Sequence, residues 1–131
     1  MYCSEATVRT LCINVRSNLD TDFITAQAGM VDALIDARLA ESFYWPNNPD
    51  GTPANDPPPT LIIQIANRLT AAYIEQTKYA INANSGQIDQ SPYAAKLEKT
   101  AMEILEKCIR GEMILSELTQ VTPLRREAPA Q

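Results

Sequence analysis

Apolar positions recur along this chain at the three- and four-residue spacing of an amphipathic helix in four places. The most regular stripe is Leu61, Ile62, Ile65, Leu69, Ala72 and Tyr73, one face of about four turns, directly behind Pro57-Pro58-Pro59. A proline disfavours helical backbone in the residue before it but is accepted as the first helical residue, so only Pro59 can open this helix, predicted over 59–81. Upstream, Ile24, Ala28, Val31, Leu34, Ile35 and Leu39 predict a helix that starts at the caps offered by residues 20–22 and runs to about Tyr44. Val8, Leu11 and Cys12, behind a Ser4 cap and with Glu5 at the positive end, predict a short N-terminal helix. Ala94, Leu97, Ala101, Ile104, Leu105 and Cys108 form the last stripe, opened by Ser91-Pro92 and closed by Gly111 just after Arg110.

The segments between stripes complete the layout. Residues 45–58, with Asn47-Asn48-Pro49-Asp50-Gly51 and further prolines, form a loop longer than most helix connections, which predicts a functional or mobile element. Tyr44 and Trp45 are expected to pin its base to the core. Beyond Gly111, the apolar residues Met113, Ile114, Leu115, Leu118, Val121 and Leu124 fit neither the helical nor the strand period, and Pro123 and Pro129 forbid a long helix. This segment either folds back on the bundle or is an arm that orders on a partner. The expected fold is all-α: a small bundle of three main helices plus a short N-terminal helix over 1–111, a long loop between the first and second main helices, and an extended C-terminal tail over 112–131.

Composition narrows the function classes. The 131 residues suffice for one domain with its own core. No run of eighteen apolar residues and no signal-peptide pattern appears, so neither a membrane span nor secretion is expected, and a cytoplasmic address is the default. The net charge is −5, and the basic residues are scattered apart from Arg125-Arg126, which argues against a phosphate-gripping surface. Cys3, Cys12 and Cys108 are widely spaced, without a CxxC pair and without any histidine, so three ordinary thiols are expected rather than a zinc site. Asp32 and Asp36 lie one helical turn apart with no evident third ligand, and read as a solvated face. Asp50, Asn55 and Asp56 are oxygen donors whose spacing does not match a calcium-binding loop. Glu75 and Lys78 read as a weak surface pair, and Gly29 inside a helix suggests close approach of a neighbouring helix. Phosphate-loop, HExxH, GxSxG and CxxC motifs are absent. No catalytic, cofactor or metal residues are assigned, and the chain does not read as an enzyme.

Three stretches in order carry a family resemblance. They are Tyr2-Cys3-Ser4-Glu5-Ala6-Thr7-Val8-Arg9-Thr10-Leu11, then Ala33-Leu34-Ile35-Asp36-Ala37-Arg38-Leu39 leading through Tyr44-Trp45-Pro46 to the triple proline, then Leu105-Glu106-Lys107-Cys108-Ile109-Arg110-Gly111-Glu112-Met113-Ile114-Leu115. Together they resemble the head-tail connector proteins of tailed bacteriophages, also called adaptor or head-completion proteins, including the Mu-like connector family. The chain departs from shorter family members in the loop over 47–56 and in the tail beyond Leu115. The resemblance implies a structural virion protein, made in the host cytoplasm, whose copies form a ring at the head-tail interface. That ring, expected to be a dodecamer, would lie beneath the portal protein, extend a channel through which DNA passes without specific binding, and dock stopper or tail-completion proteins. Partner contacts are then expected at Leu115, Leu118, Leu124, Arg125 and Arg126 in the tail and at Asn48 and Asp50 in the loop. The alternative is a small acidic helical protein-binding module or regulator with no virion role.

Overall fold

In the computed structural model, residues 1–13, 19–82, 92–111 and 122–123 are described. They form α1 (Glu5–Leu11), α2 (Thr21–Leu39), β1 (Phe43–Tyr44), α3 (Thr60–Asn82), α4 (Pro92–Ile109) and β2 (Thr122–Pro123). The fold is small and all-α, and α3 is its centre: α1, α2 and α4 each pack against it. The reason is the stripe identified above. Ile62, Ile65 and Leu69 are fully buried, Ala72 nearly so, and Leu61 and Tyr73 flank them half-buried. Ile24, Ala28, Val31, Ile35 and Leu39 from α2, Val8 from α1, and Ala101, Leu105 and Cys108 from α4 close the same core.

The helix starts follow the capping chemistry. The Ser4 hydroxyl accepts from the Thr7 amide, and the Asp20 carboxylate accepts from the Phe23 amide at 2.7 Å. α3 opens one residue later than expected. Thr60 is its first residue, and Pro59 stands just outside with its carbonyl accepting the Ile63 amide, the position of a cap rather than of a first helical residue. At the far end of α4, Gly111 has φ +80, the left-handed conformation that ends a helix and that glycine adopts without a Cβ penalty.

α2 ends at Leu39, about five residues before the end expected near Tyr44. The Ala40, Glu41 and Ser42 amides are satisfied by Asp36, Arg38 and Leu39 carbonyls, a tightening turn that throws the chain out of the helix. Phe43 and Tyr44 then pair antiparallel with Pro123 and Thr122. At this point the tail therefore returns to the bundle; the remainder of 112–131 lies outside the described residues.

Three local expectations are corrected. Gly29 has nothing within 4 Å of where a Cβ would stand, so no other helix among the described residues approaches it closely. Glu75 is 1% exposed, so it belongs to the interior and not to a surface pair; the Lys78 side chain lies outside the described residues. Asp32 and Asp36 are half-buried acceptors, because the N-terminal segment and the loop base both fold over this face of α2. The three cysteines are buried free thiols, and burial pushes the Cys108 thiol up to about 11.

Candidate partner-binding site

The chain around residues 45–58 is a built loop. Ala54 is fully buried beneath it and its amide donates to the Pro46 carbonyl at 2.7 Å, while Asn47 and Pro53 form an isolated antiparallel bridge. The tip closes through Gly51, at φ +90, whose amide donates to the Asn48 carbonyl. Within the tip, the Thr52 amide and hydroxyl both donate to Asp50 Oδ1, at 3.0 and 2.6 Å, and Asn48 Nδ2 donates to the Thr52 hydroxyl. Those bonds to the ionised carboxylate hold Asp50 below its ordinary pKa, so the exposed tip keeps its negative charge.

The base of the loop is closed by a clasp on α2. Asp36 Oδ1 accepts from the Tyr2 hydroxyl at 2.5 Å and from the Trp45 indole N–H at 2.7 Å. Asn55, at the downstream end of the loop, donates its side-chain amide to the same Tyr2 hydroxyl at 3.0 Å. The Tyr2 and Trp45 rings meet tilted, with centroids 6.0 Å apart, an arrangement favoured by their quadrupoles. One carboxylate thus joins the N-terminal segment, α2 and both ends of the loop. Burial first, and then the neighbouring Asp36 carboxylate, push the Tyr2 phenol up to about 12, so it remains a donor at neutral pH. The N-terminal segment is anchored further by the Tyr2 amide on Asp32 Oδ1 at 3.2 Å and by the Ser4 amide on Asn67 of α3 at 2.8 Å. Trp45 is 7% exposed, as expected of a residue that pins the loop base, whereas Tyr44 is 38% exposed.

Beside the clasp, the outward side of α2 differs from an ordinary solvent face. Past Asp22 in the first turn, Thr25, Ala26, Gly29, Met30, Ala33 and Ala37 are exposed on it, Met30 at 59%, and none of these six carries a charge. Surface helices normally set charged side chains opposite their buried stripe, as α4 does with Lys96, Lys99, Glu103 and Lys107. A helix with a buried stripe on one side and small, mostly uncharged side chains on the other leaves a second side that a neighbour can cover.

Of the contact residues expected from sequence, Asn48 and Asp50 are brought together at the loop tip. Leu115, Leu118, Leu124, Arg125 and Arg126 lie outside the described residues. The Tyr2, Asp36, Trp45 and Asn55 constellation was not expected; its one available signal was a carboxylate a single turn from another on a helix followed closely by the lone tryptophan. Among the described residues, no group of three His, Cys, Asp or Glu side chains is placed to hold a metal ion, and no helix is long and apolar enough to cross a membrane. Comparison with protein-family models, with curated proteins and with solved structures finds no match.

Proposed function

We propose that this protein is a structural assembly unit, a head-tail connector of a tailed bacteriophage whose copies form a ring beneath the portal and present the 45–58 loop to the next component. The observation that carries the reading is the outward side of α2, where every exposed side chain past Asp22 in the first turn is uncharged. A ring needs heterologous contacts, one patch of each copy meeting a different patch of the next, and a small-residue surface permits close approach of such a neighbour. The prefolded loop supports the second half of the reading, since a tip held by its own hydrogen bonds and clasped to α2 loses little freedom on docking. The tail enters as a portal contact through Leu115, Leu118 and Leu124, beside residues 122–123, which pair with β1.

The test is the solution mass of the full chain at several concentrations, alone and with portal protein, for the native sequence and for Met30→Lys. Because Met30 is exposed, the substitution leaves the fold intact. Assembly by the native chain and its loss in Met30→Lys are expected. A chain that stays strictly monomeric and also ignores the portal sinks the proposal; a monomer that assembles only on the portal does not.

A further inference from the structure

α4 borders two concavities of different electrostatic character. The larger, about 540 Å³, is lined by Lys99, Met102, Glu103, Glu106, Lys107 and Arg110, so cations alternate with carboxylates, and Glu106 is also paired with Arg38 of α2. The smaller, about 220 Å³, lies between α3 and α4, and its described walls are Arg68, Tyr93, Lys96, Leu97 and Thr100. Its described walls carry two cations and no carboxylate. Neither Arg68 nor Lys96 has an ion-pair partner among the described residues, although the chain as a whole carries a net −5. The Tyr93 hydroxyl is committed to the Leu11 carbonyl at 2.6 Å, so this ring is a wall and the Thr100 hydroxyl is the remaining neutral donor.

The size and charge of this groove limit what fits. Small-molecule and cofactor sites occupy about 300–1,000 Å³, so a space of about 220 Å³ suits one or two acidic side chains better than a nucleotide. The chain itself presents such side chains in a prefolded form. Asp50 at the loop tip bonds only to Thr52 among the described residues, and Asp56 at the loop's downstream end is exposed without a described cation beside it. Since groove and loop are both described and do not meet within one chain, their pairing requires two copies.

We infer that the Arg68–Lys96 groove receives the carboxylates of Asp50 and Asp56 from the loop of a second copy, as one side of a heterologous contact. This inference rests on the assembly reading above, keeps its ring, and reassigns the loop from the next component to the neighbouring copy. Charge complementarity fixes the register of the contact, and the clasp on Asp36 fixes the loop that enters it.

The experiment uses the full chain as an equal mixture of ¹⁴N- and ¹⁵N-labelled copies, alone and with portal protein. A carbodiimide then joins carboxylates to amines in direct contact, and mass spectrometry finds the linked peptides. Mixed-isotope links from Lys96 to Asp50 or Asp56 are expected. In parallel, Arg68→Glu and Asp50→Lys should each weaken self-association roughly tenfold or more, and the two together should recover most of that loss. Association without a mixed-isotope link from Lys96 to the loop, or without recovery in the double variant, overturns this inference and leaves the assembly reading standing. No association in either preparation overturns both.

Discussion

The α3 stripe and the 45–58 loop are held by different kinds of force, although they adjoin in sequence. α3 is fixed by area: Ile62, Ile65 and Leu69 are fully buried among side chains of every other helix, and no single contact there has a required direction. The loop buries few apolar side chains, chiefly Trp45 and Ala54, and is fixed by direction, through bonds that converge on one carboxylate oxygen of Asp36. Burial of this kind is spread over many residues and degrades gradually, whereas a clasp is concentrated and can be opened by one substitution. The result is a stiff centre and an outlying element whose position is set without a large core.

The largest effect that would break this contrast is in α3. Ile65→Ala should lower stability by about 2–5 kcal/mol in chemical denaturation, because it removes a fully buried side chain and leaves a cavity. A cost far below that would mean that α3 is not the centre. Asp36→Ala should lower global stability less, by about 1–3 kcal/mol, since it leaves the Trp45 indole N–H without its acceptor and takes from the Tyr2 hydroxyl its acceptor. Its distinctive outcome is local. Limited proteolysis should begin to cut within 46–56 while α3 stays protected, and equal protection of the loop in both proteins would show that the clasp does not hold it.

Tyr2→Phe should cost about 1 kcal/mol at neutral pH by removing one hydrogen-bonding hydroxyl. Its pH dependence sharpens the assignment. The Tyr2 phenol titrates at about 12 in the folded protein against an ordinary 10.0, so the folded state holds this proton more tightly. The contribution is therefore complete below pH 10 and is lost as pH rises from 10 towards 12. Burial also raises Tyr73 and Tyr93, so the effect is read as the difference between the native protein and Tyr2→Phe, with the single tryptophan as the fluorescence probe. Parallel pH profiles for the two proteins would remove Tyr2 from the clasp. The smallest effect belongs to Thr52→Ala at the exposed tip. The denaturation midpoint should not move, while the amide at position 52, which loses the ordered turn around Asp50, should exchange with solvent measurably faster.

Helices and their buried faces were legible because periodicity and capping are local properties. Ser4, Asp20, Pro92 and Gly111 mark element ends through bonds or backbone angles made within a few residues of themselves. The start of α3 was misjudged by a single residue, and the larger miss, at the end of α2, lies where the chain goes on to a distant contact. α2 ends at Leu39 in the turn at residues 40–42, beyond which Phe43 and Tyr44 pair with residues 122 and 123, a partner nearly eighty positions away that no local pattern announces. The loop was recognised as a loop, and Trp45 as its anchor, but not the atoms that hold it.

The sequence by itself thus determined the helical class, the stripe of α3 as the element on which the others pack, and the position of the long loop, since each follows from spacing along the chain. Tertiary structure alone decided the roles of Asp36, Glu75 and Gly29. A carboxylate on a helix can face water or face a tyrosine thirty-four residues earlier, and a glycine can mark a close approach or an open surface. Which of these holds depends on what the rest of the chain lays over that residue, and such coverage is a property of three-dimensional packing that no single-helix pattern encodes.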